Sequence, residues 1–167
     1  MERAILETKI RADESGLISG IAWPFGTPDM MGDIIEKGAF ASARLPLPML
    51  FGHDPNDPVG VWDEAAEDPD GLQIRGRLLV EGVARAREVR ALVQAGAIRG
   101  LSIGFVSRKA VPRPRGGRTI KQLELLEVSL VTIPAHPGAR VTSAKDAIGT
   151  LRLAVALQRA TAQLSKR

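Results

Sequence analysis

The chain has 167 residues and a net charge of +4, with 44% apolar residues, 4% aromatic residues and no cysteine. This length and composition fit one domain with an aliphatic core, and they exclude disulfides, thiol catalysis and thiolate metal sites. The basic excess lies mainly in residues 85–99, residues 108–121 and the tail. No nucleic-acid-binding motif accompanies it and stacking aromatics are few, so we expect no specific nucleic-acid partner. No run of eighteen apolar residues occurs, so we expect no membrane span.

Alternating apolar and polar residues predict a series of short strands in the first half of the chain. Turn residues such as Gly, Pro, Asn and Asp separate these strands. The predicted strands are residues 3–12, 17–23, 45–51, 59–62 and 71–80. The intervening segments are a surface loop at 24–29, a possible helical turn ending at residue 40, and an acidic turn at 63–70. Because residues 45–51 contain two prolines, we expect that strand at a sheet edge or barrel rim.

The second half changes to a helical period before it returns to strands. Residues 81–95 predict an arginine-rich helix, and Gly96 follows it as a C-terminal cap. Residues 98–105 and 120–134 predict strands, and residues 107–118, rich in Pro, Gly and Arg, predict a mobile basic loop. The chain thus divides into a β-rich domain, 1–142, and a C-terminal segment, 143–167.

The C-terminal segment carries a second predicted helix, from residue 144 to about residue 164. Its apolar side chains form two stripes, a surface broader than one contact with the domain requires. We therefore expect this helix to join two copies of the chain in a homo-oligomer.

Ser102 lies in a strand pattern that leaves it unusually uncrowded. Leu101, Ile103 and Phe105 alternate onto one face, so Ser102 and Gly104 share the other face. Glycine at that position allows a group to approach the hydroxyl, as a nucleophile requires. A closely packed barrel strand requires the same residues, so a structural role for Ser102 remains open at this point.

His53 and Glu127 are the other two residues suited to acid–base chemistry. His53 lies where a strand ends in the turn 52–58, although Asx turns there would leave it simply exposed. Glu127 enters an apolar strand, on the face that Ser129 shares by alternation. Its burial there is costly without a partner unless it lies at a hydrated rim. A hydroxyl, an imidazole and a carboxylate are the groups that acyl transfer uses. No metal-ligand spacing and no phosphate-binding glycine loop is present, so we expect no metal and no cofactor.

Four segments in a fixed order then carry a family resemblance. They are residues 32–40, residues 53–60 with His53 followed by Asp54, residues 96–105 around Ser102, and residues 126–135 around Glu127. The chain resembles the caudovirus prohead serine proteases, which are the head-maturation proteases of tailed phages and are related in fold to herpesvirus assemblin. The resemblance implies an α+β, mainly β fold: a compact mixed β-barrel flanked by helices.

The same resemblance implies roles for the candidate residues. It makes Ser102 the nucleophile and His53 the general base, with Glu127 as the third member and His136 in reserve. The carboxylate is preferred because it both orients the imidazole and stabilises the imidazolium. Oxyanion donors are expected among backbone N–H groups near Ser102 or in the loop 108–118.

The implied activity is that of a serine endopeptidase inside the procapsid, in the bacterial host cytoplasm, for a free phage or a prophage. Its expected substrates are scaffold, the N-terminal segment of the major capsid protein, and itself. The alternative is a non-catalytic assembly protein that keeps the fold and binds scaffold or capsid. The joint presence of His53 and Ser102 favours the protease.

Overall fold

The computed structural model describes residues 15–142, which form eight strands and one helix. The elements in chain order are β1 Leu17–Pro24, β2 Ile34–Ile35, β3 Leu47–Phe51, β4 Asp54–Glu67, β5 Gly71–Leu78, α1 Ala84–Gln94, β6 Gly100–Pro112, β7 Arg118–Val131 and β8 Arg140–Thr142. The strand predicted at 3–12 and the helix predicted at 144–164 lie outside the described residues. No helix in the described range is long and apolar enough to cross a membrane.

The sheet closes on itself into a barrel. Its order is β2-β7-β3-β4-β5-β1-β8-β6, and β6 pairs again with β7, so seven strands form a ring to which β2 is added. Most pairs are antiparallel, but β3 and β2 each run parallel to β7. The predicted mixed, mainly β barrel is therefore confirmed. Among the described residues its helical flank is α1 alone.

An aliphatic core fills the barrel, as the composition predicts. Trp62 is fully buried, and its indole N–H donates to the carbonyl of Val128 over 2.9 Å. This bond satisfies the one polar atom of the Trp62 side chain, so the burial of Trp62 carries no unpaired donor. Leu101, Leu130 and Val128 are also fully buried. The strands that carry the candidate site therefore contribute side chains to the core.

Helix α1 ends where the sequence predicts. Gly96 has a φ of +75°, its N–H donates to the Val93 carbonyl, and the N–H of Ala97 donates to the Leu92 carbonyl. These two bonds are those of a Schellman cap, which requires a left-handed residue and hence favours glycine. The cap turns the chain into β6, the strand of Ser102.

Two strand predictions are wrong in detail. Strand β3 is not at an edge, because β4 lies on one side of it and β7 on the other. Its prolines are tolerated because Pro46 precedes the strand and Pro48 precedes Met49, where pairing with β7 begins. The acidic turn is also shorter than predicted, because β4 continues through Glu67 in pairing with β5.

The prediction of a mobile loop at 107–118 is wrong over most of its length, because most of these residues form strands. Strands β6 and β7 form one long antiparallel hairpin, in which Pro112 still pairs with Arg118. Residues 113–117 alone make the turn, closed by a 3.0 Å bond from the Arg113 N–H to the Gly117 carbonyl. The turn lies about ten residues, or roughly 30 Å of strand, from Ser102. Backbone N–H groups near Ser102, the other expected source of oxyanion donors, lie nearer to Ser102 along β6 than this turn does.

Candidate active site

His53 lies in a tight turn between β3 and β4. Phe51 pairs with Asp54, so Gly52 and His53 are the whole loop, and both have a positive φ, 63° and 64°. Positive φ at both central residues is the pattern of a type I′ hairpin turn. Histidine is one of the few residues besides glycine that adopts it with some frequency, although it does so at a cost.

The turn brings the His53 ring to Glu127. The imidazole Nδ1 lies 2.7 Å from Glu127 Oε1, and the two side chains are 44% and 13% exposed. An ionised carboxylate can only accept a hydrogen bond, so the shared proton belongs to Nδ1 and Nε2 is left as the basic nitrogen. Glu127 is therefore not a hydrated rim carboxylate, because it has an imidazole partner.

Ser102 lies on the same face of the sheet as Glu127. In the β6–β7 pair Ser102 lies opposite Ser129, and Gly104 lies opposite Glu127. Directly opposed residues of an antiparallel pair project from one face. The two faces predicted separately, Ser102 with Gly104 and Glu127 with Ser129, are thus joined into one surface.

Gly104 makes room for the carboxylate. A Cβ built on this residue would lie 2.9 Å from both Cγ and Cδ of Glu127 and closer still to Oε1. A side chain at this position would displace the group that holds His53. Glycine is required here for space rather than for a positive φ.

Ser102 itself is 5% exposed and lines a small cavity of about 40 Å³ together with Trp23 and His136. The hydrogen bonds of His53 go to Ser129 and Glu127, and within residues 15–142 none joins it to Ser102. Catalytic hydrogen bonds are often long in free enzymes and tighten when substrate binds. The structure thus brings His53 and Glu127 into contact and aligns Ser102 on their face.

The family model for the caudovirus prohead serine proteases matches residues 5–152 of the chain. The chain belongs to this family. It is 36% identical over 156 residues to the prohead protease of Enterobacteria phage HK97. The aligned region covers 87% of this chain and 69% of that protein. It is also 36% identical over 148 residues to the capsid polyprotein of Pseudomonas phage PAJU2. That aligned region covers 84% of this chain and 22% of the polyprotein.

The fold is similar to that of the KSHV protease, solved in complex with a hexapeptide phosphonate inhibitor. The TM-score is 0.53 at 15% identity, over 75% of this chain and 63% of the other. This likeness concerns the fold, as the resemblance to herpesvirus assemblin implied. Family membership makes the chain a serine protease of phage prohead maturation.

His136, the reserve third member of this prohead protease, has other partners. Its Nδ1 accepts from the Gly138 N–H at 3.0 Å, so Nε2 carries the ring proton and donates to the Thr27 carbonyl at 3.1 Å. The ring packs edge-on against Trp23 at 4.9 Å, and the residue is 4% exposed. Both ring nitrogens are thus occupied in joining the 24–29 loop to the segment after β7, and His53 is not among these partners.

Two features of the prohead protease were missed in the sequence. The hydroxyl of Ser129, on the face of Glu127, contacts both Glu127 and the His53 backbone. Asp33 binds the Arg118 side chain and accepts from its backbone N–H at 2.7 Å, and the Arg118 hydrogen bond lowers the pKa of this carboxyl. Strand alternation pointed to Ser129, whereas nothing local links Asp33 to a residue 85 positions away.

Proposed function

We propose that this prohead protease cleaves proteins of its own procapsid with Ser102 as nucleophile and His53 as general base. Glu127 orients the His53 imidazole and stabilises its protonated form. The observation that carries the proposal is the 2.7 Å hydrogen bond between His53 Nδ1 and Glu127 Oε1, on the sheet face that Ser102 shares. That bond leaves Nε2 free to accept a proton.

The chemistry follows from these assignments. His53 Nε2 takes the proton of the Ser102 hydroxyl as Oγ attacks the scissile carbonyl carbon. The tetrahedral oxyanion collapses, the peptide C–N bond breaks, and the imidazolium returns its proton to the leaving amine. Water then attacks the acyl-enzyme by the same route, with His53 again as base. Glu127 stabilises the imidazolium in both halves of the reaction.

The substrates that fit this activity are capsid-associated proteins. The family acts in proheads, and one relative is named a capsid polyprotein, of which a part resembles this chain. We therefore assign as substrates the scaffold, the N-terminal segment of the major capsid protein, and the protease itself. The site of action is the procapsid interior, within the bacterial host cytoplasm.

We test the assignment with Ser102→Ala and a matched control, Ser107→Ala, on the same strand. The protease is co-expressed with the capsid protein of its own phage, and the capsid subunit is weighed by mass spectrometry. Ser102→Ala should leave the subunit uncut, and Ser107→Ala should cut it as wild type does. A fluorophosphonate, which acylates activated serines, should modify Ser102 alone. Cleavage by Ser102→Ala at the wild-type rate would sink the assignment.

We also propose that residues 143–167 associate copies of the protease and that association raises its activity. The support is the breadth of the apolar surface predicted for residues 144–164. In a closed shell the local concentration is high, so weak association becomes populated by mass action. Specific activity should rise with protein concentration for wild type and stay flat for Leu153→Asp combined with Leu157→Asp. A concentration-independent wild type would contradict the proposal.

A further inference from the structure

We propose that Ser129 is a positioning residue that fixes the acid and the base of the site to each other. The inference rests on the proposed function, because it concerns how His53 and Glu127 are held for their roles there. Ser129 lies in the middle of the site, opposite Ser102 on β6 and beside Leu50 on β3. It is fully buried, so it acts beneath the reacting groups rather than on the substrate.

The hydroxyl of Ser129 joins the two catalytic partners. It donates to Glu127 Oε2 at 2.7 Å and accepts from the backbone N–H of His53 at 3.1 Å. A hydroxyl has one proton to donate, and here that proton goes to the carboxylate. One buried oxygen thus links the side chain of the acid to the main chain of the base.

The first bond fixes the plane of the carboxylate. The terminal torsion of glutamate is broad and has no strong preference of its own. Oε1 is hydrogen-bonded to His53 and Oε2 to Ser129. Because both oxygens are bonded, the terminal torsion of Glu127 is fixed at one value. The carboxylate then presents Oε1 to the imidazole without having to be ordered during the reaction.

The second bond holds the turn that carries the base. His53 has a φ of +64°, a conformation that persists in non-glycine residues only where the surroundings enforce it. The neighbouring Gly52 N–H donates to the Leu130 carbonyl at 3.0 Å, and the His53 N–H donates to the Ser129 hydroxyl. Two consecutive amides of the turn are therefore fastened to β7. Removal of the Ser129 hydroxyl frees the amide of the residue that carries the imidazole.

The experiment is a double-mutant cycle of Ser129→Ala with Glu127→Gln. The readout is the second-order rate at which a fluorophosphonate modifies Ser102, normalised to the fraction of sites that react at completion. Ser129→Ala should lower this rate about 10- to 100-fold, the loss that misplacement by about 1 Å produces. Because one of the two Ser129 bonds acts through Glu127 and the other holds the His53 amide, the loss in the double variant should be smaller than the product of the two single losses.

The matched control is Ser42→Ala. Ser42 also donates to β7, to the Leu123 carbonyl at 2.8 Å, but outside the site. Ser42→Ala should lose less stability than Ser129→Ala, because Ser42 is exposed, and its labelling rate should stay at the wild-type value. If Ser129→Ala does not fold, Ser129→Cys replaces it, because a thiol keeps the side chain's shape and is a weak donor. It should then lower the rate in the same non-additive way.

A proton resonance of His53, which needs no substrate, distinguishes failure of the Ser129 inference from failure of the proposed function. The His53 Nδ1 proton, held by a carboxylate, should give a far-downfield proton resonance in wild type and in Ser102→Ala. In Ser129→Ala that resonance should broaden or move upfield. A wild-type resonance together with a wild-type labelling rate in Ser129→Ala would overturn the inference, as would additive losses in the cycle. Failure of the proposed function itself would appear differently, as labelling elsewhere than Ser102.

Discussion

Replacement of Gly104 by alanine is the sharpest test of the site's geometry. The added methyl would lie 2.9 Å from Cγ and Cδ of Glu127, whereas ordinary van der Waals contact begins at 3.4 Å. The glutamate must therefore retreat from β6 by about 0.5 Å at its carbons and by more at Oε1. That movement stretches or breaks the 2.7 Å bond to His53.

Two magnitudes follow for Gly104→Ala. Overpacking of this kind costs about 1–3 kcal/mol of folding stability. Displacement of the carboxylate by 0.5–1 Å should lower the turnover rate about 10- to 100-fold. Because Glu127 orients the base in the proposed mechanism and has no assigned contact with the substrate, we expect the loss in kcat rather than in KM.

The assay measures capsid-protein cleavage and fluorophosphonate labelling of Ser102 in Gly104→Ala, beside the thermal midpoint of each variant. Gly82→Ala is the control, since a Cβ at Gly82 meets nothing within 4 Å. It should keep both rates and lie within about 0.5 kcal/mol of wild type. If Gly104→Ala folds and cleaves at the wild-type rate, Glu127 has no part in catalysis at the place described.

Two further predictions concern the third member and the hairpin turn. In a cleavage assay Glu127→Gln should lower kcat more than His136→Asn does, because, of these two residues, Glu127 is the one that hydrogen-bonds the His53 ring. The reverse ranking would reassign the role to His136. Asp33→Asn should cost on the order of 1–3 kcal/mol at pH 7, because it removes the carboxylate that binds Arg118. The pKa of Asp33 is lowered in the folded state by Arg118, so its contribution is present above the ordinary value of 3.8 and is lost as the pH falls through the folded pKa. The gap in thermal midpoint between wild type and Asp33→Asn should accordingly narrow below pH 4, and a gap independent of pH would contradict this account.

The sequence predicted which residues share a face but not which faces meet. Alternation placed Ser102 beside Gly104 and Glu127 beside Ser129 correctly, because side chains alternate strictly along a strand. The contact of His53 with Glu127 depends on the parallel pairing of β3 with β7 across 74 residues, and no local pattern encodes that pairing.

The hairpin was missed for a different physical reason. Several residues of its distal half are exposed, so they have no apolar period, and Pro, Gly and Arg there resemble loop composition. What makes them strands is pairing between β6 and β7, together with the anchoring of Arg118 by Asp33. The composition of the segment indicates its turn but not how far the strands extend toward that turn.

The parallel pairing of β3 with β7 also determines when the protein can become active during its synthesis. A nascent chain that has reached residue 112 already contains His53 and Ser102 but has no β7 to close the barrel. Pairings of this sequence separation form slowly compared with local hairpins. We therefore expect cleavage to wait until the ribosome has passed Thr142, where β8 ends and the ring can be completed. The strand topology thus keeps the nascent protease inactive until its barrel is closed.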